Sequence, residues 1–174
     1  GCPVCVLPIG RIDLAIRLAL ERGVMLCTYG DTMRVPASEG LSLIKAKARG
    51  ADVRMVYSAA DALALADKHP DREVVFLAIG FETTTPPTAL VLREARERAV
   101  PNFSVLCCHV LTPAAITHIL ESAEVRQLGT VPFGGFIGPA HVSIVIGSQP
   151  YEHFAEEYRK PVVISGFEPL DVMQ

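Results

Sequence analysis

The chain has 174 residues, half of them apolar, with 16 Lys+Arg against 19 Asp+Glu and a net charge of −3. That length supports one ordinary domain or two small ones, and the apolar content excludes disorder. No apolar run approaches the roughly 18 residues of a membrane span, and no basic face is clustered enough to hold a nucleic acid.

The chain opens on Gly1, Cys2, Pro3, Val4 and Cys5, which places two thiols at C-x-x-C spacing just ahead of a helical pattern. No charged n-region followed by an apolar stretch precedes it, so no signal peptide is read, and a chain that opens on a motif reads as a piece of something longer. In that first helix Ile12, Ile16, Ala19 and Leu20 share a face and Gly23 ends it. A strand follows at 24–29. The second helix shows Leu41, Ile44 and Ala48 on one side, with Gly50 beyond it; its Lys45, Lys47 and Arg49 read as a solvated face. A strand at 53–57 leads to Ser58 and Asp61, the spacing of a capping box, and Pro70 lies past the end of that third helix. After a strand at 74–79, Pro86 and Pro87 open a fourth helix, where missing amide hydrogens cost little. A strand at 103–109 precedes a fifth helix opened by Thr112 and Pro113. Short strands at 136–137 and 162–165 flank a last helix from Tyr151 to Tyr158. Residues 141–147 serve equally as a strand or a short buried helix.

Strand–helix alternation at this spacing predicts an α/β fold: mainly parallel sheets with flanking helices, arranged as two small α/β units facing a common cleft. The expected division is 1–58 and 59–174, with the C-terminal strand free to return to the first unit. The strands are near-continuously apolar, as expected where both sheet faces are covered.

Polar residues cluster in four loops expected at one sheet edge, where α/β proteins bind ligands. They hold Cys2 and Cys5; Gly30 to Pro36; Gly80 to Pro86; and Gly138 to Ser143. A C-x-x-C pair at a helix N-terminus suits a redox dithiol or a soft metal site; the plainer reading is two small packed hydrophobes. Glu82, Thr83, Thr84 and Thr85 exceed the needs of one helix cap, and exposed amides and hydroxyls at that helix start suit an anion site. His141, beside Gly138 and Pro139, is a candidate proton carrier, set against a histidine satisfied by a carbonyl. Asp31 and Arg34 are expected to pair within their loop. Cys107 and His109 can share a strand face, though Cys27, Cys107 and Cys108 read as core thiols. His69, His118 and His153 read as surface residues. An odd count of five cysteines, two adjacent, makes a poor disulfide framework and predicts a reducing cytoplasm. No nucleotide-binding glycine motif is present, nor a nucleophile elbow, so neither nucleotide binding nor acyl transfer is expected.

With these loops in view, the chain resembles the HypD family of hydrogenase maturation factors. The matching segments are GCPVC from Gly1, TYGDTMRVP from Thr28 and GFETT from Gly80. They continue with NFSVL from Asn102, PAHVS from Pro139 with Gly147, and GFEPLD from Gly166. The resemblance implies a scaffold that builds the Fe(CN)2CO group of nickel–iron hydrogenases with a small HypC-like chaperone. Cyanide would arrive from a HypE-like donor served by a HypF-like carbamoyl transferase. It assigns thiol chemistry and candidate iron ligation to Cys2 and Cys5, proton-transfer or positioning roles to Glu82 and His141, and hydrogen-bond donation to Thr83 and Thr84. The family pattern also carries an upstream cysteine as the main iron ligand and a C-terminal domain holding a [4Fe–4S] cluster, neither found in these residues. Apart from the resemblance, the same dithiol would serve a general thiol–disulfide oxidoreductase, and the same fold a non-catalytic interaction module.

Overall fold

The computed structural model describes residues 3–129 and 132–173, leaving aside the side chains at 3, 5 and 126. The chain divides into two compact units. One takes the chain up to Gly80 and Thr84–His109; the other takes Phe81–Thr83 and the chain from Val110 onward.

The first unit is a parallel sheet of β1 (Met25–Thr28), β2 (Val53–Met55), β3 (Val74–Gly80) and β4 (Phe103–His109) in the order β2-β1-β3-β4. Parallel neighbours require crossovers, supplied by α2 (Leu43–Ala48), α3 (Ala59–Lys68) and α4 (Thr85–Glu97), with α1 (Ile9–Glu21) ahead of β1. The two-residue period of a strand then sorts the core onto two faces. Val75, Leu77 and Ile79 of β3 pack with Ile12, Ile16, Leu43 and Ala46. Val74, Phe76 and Ala78 pack on the other face with Ala62, Leu63, Ala66 and Val91. The sheet is therefore doubly wound, and every residue of β3 is buried.

Local signals account for most helix ends. Ser58 accepts from the Asp61 amide (3.2 Å) and Asp61 returns a bond to the Ser58 amide (3.0 Å), the reciprocal box expected from their spacing. Gly23 and Gly50 turn the chain with positive φ after α1 and α2. Two expected faces differ. In α1 the buried stripe is Ile12, Ala15, Ile16 and Ala19, while Leu20 is exposed; it stands about 80° round the helix from Ile12 at 3.6 residues per turn. In α2 the Ser42 side chain caps Lys45, so the helix starts after Leu41 and buries Leu43 and Ala46, leaving Ile44 exposed.

The second unit has α5 (Thr112–Leu120), α6 (Ala123–Leu128), β5 (Phe136–Pro139), α7 (Ala140–Ile146), α8 (Gln149–Glu156), β6 (Val162–Ser165) and α9 (Pro169–Met173). The ambiguous run after Pro139 is thus a helix. Strands β5 and β6 pair in parallel as a separate two-stranded sheet. The polar loops after β1 and β3 consequently belong to one sheet and the loop after β5 to another. Its core gathers Ile116, Leu120, Tyr151 and Phe154, with Phe136 and Val162 against them. Ile137 and Val163 are register partners and are 72% and 64% exposed, so this sheet is covered on one face only, unlike the first. Among the described residues no helix is long and apolar enough to cross a membrane.

Asn102 ties the first unit together. Its buried amide nitrogen donates to the carbonyls of Ala66 (3.0 Å), His69 (2.9 Å) and Arg72 (2.9 Å), joining the end of α3 to the start of β4. Two hydrogens serve three acceptors, so one is shared. Asn102→Ala is expected to cost about 2 kcal/mol, read as a lower urea midpoint. Asn102→Asp should cost more, because carboxylate oxygens would face three carbonyls. An unchanged midpoint in both variants would show that the turn is held by other bonds.

Candidate functional site

In the first unit, the carboxyl ends of β1 and β3 adjoin at the point where strand order reverses, the usual ligand position of such sheets. After β1, the Asp31 carboxylate accepts from the Thr32 amide (2.8 Å) and hydroxyl (3.3 Å). Asp31 is therefore a local cap, and no Asp31–Arg34 ion pair occurs among the described residues. At the end of β3, Gly80 leaves room for the Thr84 side chain: a Cβ on residue 80 would lie 2.7 Å from the Thr84 Cβ. Thr84 in turn stands at the head of α4, its carbonyl accepting from the Thr88 hydroxyl (3.0 Å). Cys2 lies outside the described residues, as does the Cys5 side chain. The backbone around Cys5 forms a 3-10 turn, Pro3–Val6, just before α1, with Val4 and Leu7 packed on the α1 and α2 side of the core.

In the second unit, Glu82 is 5% exposed. One carboxylate oxygen accepts from the Thr112 amide and the other from the Thr112 hydroxyl (3.1 Å). The first amides of a helix lack intrahelical partners, so Glu82 acts as the acceptor that starts α5, thirty residues along the chain. It also forms the one charged wall of a cavity of about 300 Å3, otherwise lined by Leu111, Pro113, Ala114, Ile146 and Pro150. Thr83, next to it, is half-buried. His141 lies in the first turn of α7. Its ring is 5.0 Å from Phe167 and 6.4 Å from Phe81, and its Nδ1 is buried without a hydrogen bond among the described residues.

Tyr151 was not foreseen as a functional candidate. It is 4% exposed, and burial raises its phenol pKa, with the Glu82 carboxylate adding to the effect. Ser143 faces it, but the Ser143 proton goes to the Pro139 carbonyl (3.1 Å), and Tyr151 Oη makes no bond of good geometry among the described residues. No spacing marked this residue. Thr112 did carry a signal, since a helix opening on Thr-Pro needs an outside acceptor for its first amide.

Cys27 and Cys108 are core thiols as expected. Burial pushes Cys27 up to about 12 and also raises Cys108. Cys107 is not core: it is exposed, with Sγ 3.6 Å from His109 Nδ1. Edge position explains this, because among the described residues β4 has a strand neighbour on one side only. His118 is exposed, whereas His153 is half-buried, its ring 3.8 Å from that of Phe154 and its Nδ1 3.2 Å from the Pro150 carbonyl oxygen. Among the described residues no group of three or more His, Cys, Asp and Glu side chains is placed to hold a metal.

Comparison with known proteins matches residues 1–174 to the family described as HypD, "Hydrogenase formation hypA family". The chain is 80% identical over its whole length to hydrogenase maturation factor HypD of Cupriavidus necator, covering 46% of that protein. It is 70% identical to HypD of Rhizobium leguminosarum bv. viciae and 48% identical to HypD of Escherichia coli K12, again over the whole chain and 45% of each relative. The chain thus spans about half the length of the curated relatives it matches.

Two outcomes follow from this geometry. Glu82→Ala removes the acceptor for α5, and bonds to a charged acceptor contribute about 1.5–3 kcal/mol. The Thr112 amide should then exchange hydrogen at least about 10-fold faster, while Glu82→Gln, which keeps one acceptor oxygen, falls between; equal exchange in all three would show that α5 starts without Glu82. Burial lowers the His109 pKa from its ordinary 6.5, so the unfolded chain binds that proton more readily than the folded one. Stability therefore falls as pH drops through the unfolded value. His109→Gln should flatten the stability slope between pH 7 and the folded pKa, measured by urea unfolding.

Proposed function

The chain belongs to the HypD family of hydrogenase maturation factors, and from that premise we propose that it forms the central part of a cytoplasmic scaffold on which the Fe(CN)2CO group of nickel–iron hydrogenases is assembled. The observation that carries the reading is the family match across all 174 residues. The partners in this reading are a HypC-like small chaperone and a HypE-like cyanide donor, and the iron fragment is the cargo of the reaction.

Chemistry at the residue level supports the assignment of roles. Cys2 and Cys5 supply soft thiolates, the donors suited to iron bearing strong-field diatomic ligands, and their spacing also permits reversible disulfide closure. Thr83 and Thr84 supply hydroxyl donors for the nitrogen end of bound cyanide. Glu82 serves as a positioning residue: with both oxygens engaged by Thr112, it fixes the loop that carries Thr83. His141 is the proton carrier of the set, its buried Nδ1 being uncommitted to any hydrogen bond among the described residues.

A [4Fe–4S] cluster requires four thiolates around one site. Among the described side chains, Cys27, Cys107 and Cys108 do not gather at one such site, since Cys27 and Cys108 are buried on opposite faces of the first sheet.

The test is complementation of a strain lacking its own factor, using the whole protein that contains this chain. Cys2→Ser and Cys5→Ser should each reduce hydrogenase activity to background. Thr83→Val should reduce it by about 10–100-fold, the usual cost of losing an orienting contact near a metal. Wild-type hydrogenase activity in the Cys2→Ser, Cys5→Ser double variant would overturn the reading. Turnover of unrelated disulfides by the whole protein would replace it with a general oxidoreductase.

A further inference from the structure

The proposed assembly role makes no use of the pair at the end of β4. Strand alternation sets Cys107 and His109 on one face and turns Cys108 into the core between them. Sγ of Cys107 lies 3.6 Å from Nδ1 of His109, within sulfur hydrogen-bond distance. Both residues border a cavity of about 210 Å3 between β4 and α4, walled by Thr85, Thr88, Leu92 and Val105. Two hydroxyl-bearing residues and several apolar carbons surround the thiol, and no charged side chain lines the cavity.

The half-buried imidazole is held neutral near pH 7 by its desolvation, which keeps a ring lone pair available to take a proton. Cys107 is exposed, so an incoming group can reach its sulfur. A thiol with a neutral base at hydrogen-bond distance and an open cavity in front of it is the arrangement that activates a cysteine nucleophile.

We propose that Cys107 and His109 form a reactive thiol–imidazole pair whose cavity receives one arm of a low-molecular-weight disulfide, leaving Cys107 as a mixed disulfide. In the step, the Cys107 sulfur attacks one sulfur of the disulfide R–S–S–R. The Cys107 S–H proton passes to His109, a new S–S bond joins Cys107 to one RS group, and the other departs as the thiolate RS−. Cys107 is oxidised, the disulfide is reduced, and protonated His109 balances the departing thiolate. The modification is reversed by any small thiol. It does not depend on the assembly reading.

The test exposes the full chain at pH 7 to bis(2-hydroxyethyl) disulfide, an uncharged probe whose hydroxyl arm matches the threonine-bearing walls. Tandem mass spectrometry of alkylated peptides then reads the occupancy of each cysteine over time. Cys107 should acquire the hydroxyethylthio group about 10-fold faster than in His109→Gln. Cys27 and Cys108 should stay unmodified in every folded sample. If His109→Gln exposes Cys27 and so reports unfolding, the unaltered chain still decides the matter, because Cys107 must then exchange faster than a cysteine in an unstructured peptide. Equal Cys107 rates with and without His109, a rate no faster than the peptide, or labelling of Cys108 alongside Cys107 would overturn the proposal.

Discussion

The first unit depends on the complete burial of β3. All seven residues from Val74 to Gly80 are covered, by α1 and α2 on one face and by α3 and α4 on the other. A strand without a solvent face must have its backbone paired on both sides, which β1 and β4 do in parallel register. Parallel pairing in turn forces each connection to run back over the sheet as a helix. Every strand therefore ends at the same edge, and the polar residues that follow β1 and β3 gather there for reasons of connectivity. Gly80 shows how tight that edge is: the strand ends on the residue whose missing Cβ leaves space for Thr84.

The second unit follows a looser rule. Its two-stranded sheet buries one face, and its core is small, built around Tyr151 and Phe154. Order at the start of α5 comes from a single carboxylate, Glu82, accepting twice from Thr112. A buried charge is tolerated only when its lone pairs are used, so the same contact that starts the helix also makes the buried Glu82 admissible. Two polar groups with no such partner among the described residues, His141 Nδ1 and Tyr151 Oη, stand in the same unit. In native interiors such orphans are few, and they concentrate attention on this part of the chain.

Local patterns in the sequence were sufficient where the physics is local. Apolar runs located the six described strands to within a residue or two, and the Ser58 and Asp61 spacing located the start of α3. In α2 the cap at Ser42 leaves Leu41 ahead of the helix, and the buried face runs through Leu43 and Ala46, not through Ile44 and Ala48. Residues 141–147 stayed ambiguous because a short apolar run has no period that distinguishes strand from helix. Partners distant in the chain had no local trace: nothing near Glu82 points to Thr112, and nothing near Gly80 reveals that Thr84 needs its space. The spacing of Cys107 and His109 was visible, but whether that face is covered depends on β4 being the last strand of its sheet, a fact of strand order. The dithiol of Cys2 and Cys5, the sharpest feature of the sequence, lies outside the residues whose side chains are described.

The strand order β2-β1-β3-β4 also has a consequence in time. β1 acquires β2 early, but its other neighbour lies 49 residues further on, as the Met25–Val74 register and the Thr28–Leu77 contact show. A ribosome adding about 5–20 residues per second needs roughly 1–4 s to run from β2 at Val53 to β3 at Val74. During this interval the apolar edge of β1 is open and paired on one side alone, a template for any other extended segment. The nascent chain is thus most vulnerable to wrong pairing between the emergence of β2 and that of β3, and a chaperone at the exit tunnel would act most usefully in that window.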